Sequence, residues 1–92
     1  MMGIEELREL QNKLEKEGNH LVNKIMNLED KLFSRREVEK ITNTQINLLD
    51  IQLNAMKTYY RVLRARIEDL EYEIRKLENE RWKKNNMKKC EN

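Results

Sequence analysis

The sequence predicts an all-α fold: an antiparallel two-helix hairpin with a long second helix, assembled into a coiled-coil-like homo-oligomer. Three observations predict it. The chain has no proline and only two glycines, with 39% charged and 5% aromatic residues, a composition that suits long helices rather than a sheet. Leu7, Leu14, Leu21 and Leu28 recur every seven residues, the repeat of a narrow apolar seam on a helix. A second seam runs at alternating three- and four-residue spacing from Ile46 to Leu77. The chain has 92 residues, so it forms one domain and buries little surface alone. Association with its own copies is the expected source of further stability.

The elements follow in order. Helix one is expected at about 4–32, where Ile4, Ile25 and Leu32 accompany the leucine heptads and Gln11 and Gly18 interrupt them. Gly18 costs about 1 kcal/mol relative to Ala, but a continuous helix is expected through it. Ser34 followed by Glu37 matches the capping box, with Phe33 and Val38 placed to staple the turn. A short turn at about 33–35 is therefore expected. Helix two is expected at about 36–84, completing a hairpin domain over 1–84, with a polar basic tail at 85–92 that frays. Folded back, helix one covers about residues 37–66 and leaves 67–84 protruding with an apolar seam. An exposed seam calls for a partner. The expected oligomer interface is Ile46, Leu49, Leu53, Met56, Leu63, Ile67, Leu70, Ile74 and Leu77.

Helix two carries a second stripe. Val38, Ile41, Leu48, Ala55 and Val62 widen its apolar face, a width that suits two partners rather than one. Beside them Gln45, Gln52, Tyr59 and Arg66 recur every seven residues and so stand near one line along the helix. In the stretch AMKTYYRVLRARI, helical geometry sends Lys57, Arg61 and Arg64 to the polar side and Arg66 into the apolar sector. Three accounts of Arg66 stand side by side: its stem carries the charge out to water, it pairs with a group on another protomer, or it awaits a phosphate that its planar fork fits. Tyr59 and Tyr60 are read either as packing residues or as stacking surfaces beside that cation.

The same residues carry a resemblance. LLDIQLNAMKTYYRVLRARI, with Leu48-Leu49, Gln52-Leu53, Ala55-Met56, Tyr59, Val62-Leu63 and Arg66-Ile67, resembles the signature of a family of small helical phage proteins related to a crAss-like phage protein. The resemblance covers about residues 15–67. Family members usually stop soon after the Arg-Ile pair, whereas this chain continues through Asn92. The two-helix plan is also similar to that of the phage anti-CBASS hairpin proteins, which oligomerise and sequester cyclic nucleotide signals. By that likeness of architecture, an inter-protomer pocket formed by Gln52, Tyr59, Arg66, Tyr60 and Arg64 is expected to take a cyclic or ADP-ribose-type nucleotide.

Other classes fit less well. No Ser/His/Asp or Cys/His constellation, glycine-rich phosphate loop or metal-ligand cluster is present, so no enzyme and no cofactor are expected. His20 and Cys90 are single; one cysteine fits a reducing cytoplasm. The N-terminus is acidic and periodic, unlike a signal peptide, and no apolar run is long enough to span a bilayer. Residues 33–66 hold seven cations and three anions, but 67–80 hold two and six, so the net charge of +2 gives no continuous basic surface for nucleic acid. Two readings remain: a phage-encoded anti-defence protein that sequesters a nucleotide signal, or a structural coiled-coil adaptor whose protruding seam docks a partner helix.

Overall fold

The computed structural model describes residues 2–90, with side chains described for residues 2–86. The described residues form three helices and no strand: α1 at Ile4–Phe33, α2 at Arg35–Val38 and α3 at Asn43–Cys90. α3 sets the length of the molecule. Its 48 residues rise about 72 Å at 1.5 Å each, and the longest extent is 76 Å.

α1 starts without a side-chain cap: Gly3 precedes it, and the Leu7 N–H donates to the Gly3 carbonyl at 3.1 Å. Glu5 and Glu6 in its first turn complement the helix dipole. It runs unbroken through Gly18, which is buried. A Cβ added there would meet the Tyr60 ring at 3.7 Å. The Tyr60 ring packs over the α1 backbone there with room left for a methyl group.

Contacts between α1 and α3 run in opposite order along the two helices. Leu32 and Phe33 border a hollow with Ile46, Asn47, Asp50 and Leu53. Gly18 faces Tyr60. The Gln11 amide donates to the Glu71 carboxylate at 2.8 Å, and Arg8 pairs with Glu78. At the far end Ile4 borders the same hollow as Leu77 and Arg81. The core lies along this contact. Ile4, Leu7 and Leu14 of α1 are buried against Leu63, Ile67, Leu70 and Ile74 of α3, with Leu10, Leu21 and Leu77 packed on the cluster. Ile25 and Leu53 are buried nearer the turn. Leu63, with 1% of its surface exposed, is the most enclosed side chain.

Two expectations are corrected here. The turn is not confined to 33–35. Ser34 caps α2 without a side-chain hydrogen bond, Phe33 is 83% exposed rather than stapled, and the helix that follows has only four residues. The long helix starts at Asn43, where the Gln45 N–H donates to the Thr42 hydroxyl at 3.1 Å. That is an N-cap bond to the third helical residue. The longer connection changes what α1 covers. It reaches along α3 to Glu78, so residues 67–77 do not protrude: Ile67, Leu70 and Ile74 are buried within this chain. α3 continues through Cys90; of the expected polar tail at 85–92, residues 91–92 and the side chains from 87 onward lie outside the described residues.

Candidate functional site

The nine seam positions read as an oligomer interface fall mostly into the chain's own core. Leu53, Leu63, Ile67, Leu70 and Ile74 are buried, and Ile46, Leu49, Met56 and Leu77 are half-buried. The functional question therefore moves to the other side of α3. Since α1 takes one side of α3, the residues about a quarter-turn away stay open to solvent. These are Leu48, Ile51, Ala55, Tyr59, Val62 and Arg66.

A cleft of about 370 Å³ opens on this side, lined by Leu10 of α1 and by Val62, Ala65, Arg66, Asp69 and Leu70 of α3. Leu10, Val62 and Leu70 give it an apolar wall. Arg66 and Asp69, one helical turn apart, place a cation and an anion on its rim. Arg66 forms no ion pair among the described residues, so its guanidinium keeps its donors for water or a ligand. Lys57, two and a half turns earlier on α3, pairs with Glu29 at 3.8 Å.

Tyr59 stands two turns before Arg66 on the same line. Its hydroxyl donates to the Glu17 carboxylate across the α1–α3 contact. That hydrogen bond is the main reason its phenol titrates above the ordinary range; desolvation and the Glu17 charge add to the shift, and the Arg66 charge opposes it. The Glu17 carboxylate thus holds the phenol, while the Arg66 charge acts on it in the opposite sense. The ring is only half covered, with 46% of the residue exposed. Glu71 behaves in the opposite sense: the Gln11 amide holds its carboxyl below the usual range, assisted by Arg75 at 3.2 Å and by the charge of Arg8. Glu71 belongs to the α1–α3 contact and lines none of the hollows described here.

The five residues expected to form one binding site divide into groups. Arg66 lines the 370 Å³ cleft, with Tyr59 on the same side. Tyr60 and Arg64 border a smaller hollow of about 100 Å³ with Glu15, Gly18, Asn19 and Ile67. Gln52 is exposed, two turns from Tyr59 on the turn side. Leu10, Asp69 and Glu17 escape a reading of the sequence. Leu10 falls outside the seven-residue leucine series, and Asp69 looks like one more surface acid. Glu17 becomes visible only once the helices are set side by side.

Among the described residues no group of three His, Cys, Asp or Glu could hold a metal ion. None of the described helices is long and apolar enough to cross a membrane. Compared with protein-family models, residues 5–69 match the one described as Sequestin. That span runs from the start of α1 to Asp69 and includes Leu10, Glu17, Tyr59, Val62 and Arg66. No curated protein and no solved structure matches.

Proposed function

The chain belongs to the Sequestin family, and from that membership together with the cleft at Arg66 we propose that it is a non-enzymatic, phage-encoded anti-defence protein that sequesters a nucleotide immune signal. The observation that carries the reading is Arg66: an exposed guanidinium without a partner among the described residues, set at the mouth of an apolar cleft. Its planar fork suits a phosphate, bound by two parallel N–H donations. Asp69 on the same rim suits the other polar part of a nucleotide, since a carboxylate accepts hydrogen bonds from ribose hydroxyls. Leu10, Val62 and Leu70 offer the apolar wall for a base. The cleft volume falls within the roughly 300–1,000 Å³ typical of small-molecule sites.

The family's name supports binding rather than turnover, and the cleft's chemistry agrees. It offers donors, acceptors and apolar contact, with no nucleophile paired to a base. In this reading the ligand is a cyclic or ADP-ribose-type nucleotide, held in the cytoplasm of an infected cell by an oligomer of hairpins. The adaptor reading is weakened, because the seam it needs, Ile67–Leu77, is filled by α1.

The test is thermal denaturation with a panel of cyclic dinucleotides and ADP-ribose derivatives. A bound nucleotide at about a hundred times its Kd raises stability by about 2.7 kcal/mol. Arg66→Ala is expected to remove that gain and to leave the melting of the free protein unchanged. A panel without any stabilising member contradicts the proposal.

A further inference from the structure

Charge is distributed unevenly along this molecule, and the uneven part is exposed. Residues 41–60 contain only two charged side chains, Asp50 and Lys57, in a chain that is 39% charged. Lys57 is occupied by Glu29. The adjoining part of α1, residues 18–28, contains only Lys24. On this half of α3 Leu48 is 52% exposed, Ile51 64% and Val62 52%. The other half, beyond residue 63, alternates cations and anions in the manner of a solvated surface. An uncharged and apolar helix face of this length marks a contact.

We propose that a second copy of this chain covers that face, with the two α3 helices antiparallel about a two-fold axis at Ala55. The order of residues argues for a second copy. Leu48 and Val62 lie one heptad to either side of Ala55. A two-fold contact requires residue i to meet j while j meets i. With Ala55 against Ala55, Leu48 meets Val62 twice and Ile51 meets Tyr59 twice. The smallest side chain of the stripe lies at the centre, where the helices approach most closely.

Charge fixes the direction. The one charged residue of the exposed stripe is Arg66, and in the antiparallel register it stands opposite Thr44. No charge meets its like between residues 43 and 67. A parallel contact would set Arg66 on Arg66, which is unfavourable.

The contact has a consequence for the cleft, which rests on the proposed sequestration. The second copy's Thr44 and Leu48 come over Arg66 and Val62. The open side of the cleft then gains a hydroxyl and an apolar lid. Two such clefts form, related by the axis, and each is incomplete in a single chain.

Cysteine crosslinking tests this without ligand. In a Cys90→Ser background, Ala55→Cys is oxidised and compared with Lys76→Cys, a position on the same side of α3 but far from the axis. The expected result is a disulfide-linked species of twice the chain mass for Ala55→Cys and none for Lys76→Cys. In parallel, Leu48→Asp is measured by light scattering, with circular dichroism to verify its helix. Its mass is expected to fall to the 11.3 kDa of one chain. A wild-type protein of single-chain mass overturns the inference, as does crosslinking of Lys76→Cys as readily as of Ala55→Cys. A disulfide-linked Ala55→Cys dimer that no nucleotide stabilises supports the contact and counts against sequestration, so the two failures are distinguishable.

Discussion

The Tyr59 hydroxyl donates a hydrogen bond to Glu17, a carboxylate 42 positions earlier in the chain. This bond ties the candidate site to the packing of the helices. It aims the ring and fixes the position of α1 beside the cleft, where Leu10 supplies one wall.

The bond sets the titration of Tyr59. Its folded phenol lies above the ordinary value, chiefly through the Glu17 hydrogen bond. A raised folded pKa contributes stability that is fully present below the unfolded value and is lost as pH rises through the folded one. Tyrosinate absorbance during an alkaline titration is expected to show a step above the ordinary tyrosine range. Glu17→Gln is expected to bring that step back towards the ordinary range. An unchanged titration curve would show that Glu17 does not hold the phenol. Glu71 gives the acid counterpart, since its lowered pKa contributes stability that is lost as pH falls through the folded value.

Gly18→Ala is expected to stabilise the protein by about 0.5–1 kcal/mol, the helix-propensity difference. The added methyl meets the Tyr60 ring at 3.7 Å, an ordinary van der Waals contact. Chemical denaturation checks it. A destabilised Gly18→Ala would mean that the ring lies closer to the α1 backbone than described.

Thr42→Ala and Ser34→Ala separate the two candidate caps. Thr42 accepts the Gln45 N–H, so its removal is expected to cost about 1 kcal/mol. Ser34 makes no side-chain cap bond, so its loss is expected to cost little. The reverse order, measured by denaturation midpoints, would place the start of the long helix near residue 35.

The same pair shows how far the sequence can be read. Leucine heptads, absent prolines and low aromatic content are enough for the all-helical class. The connection is harder, because Ser34-x-x-Glu37 and Thr42-x-x-Gln45 have the same capping spacing, and the first is not the one the long helix uses. A helix begins where its whole first turn finds partners, and Ile46 N–H to the Thr42 carbonyl at 3.0 Å continues that turn. The misplaced start propagates, because each residue added to the connection shifts which part of α3 lies against α1. Ile67, Leu70 and Ile74 thereby change from an expected docking seam to core.

At the candidate site, Arg66 stands out in sequence because a cation in an apolar sector needs a reason. Tyr60 and Arg64 are close to it in sequence, but they border another hollow. Neighbours on a helix point about 100° apart, so adjacency in the chain is weak support for a shared site. Glu17 and Leu10 are out of reach, since no local pattern links them to residues more than forty positions away.

The central claim is that the protein holds a nucleotide without changing it. The most direct measurement is a depletion-and-release experiment. A cyclic or ADP-ribose-type nucleotide is mixed with excess protein, the free fraction is collected by ultrafiltration, and the retained fraction is then heated to unfold the protein. The account predicts depletion of the free nucleotide and full recovery of the unaltered molecule after heating, with neither effect for Arg66→Ala. No depletion across the panel, or recovery of a converted product, would contradict it.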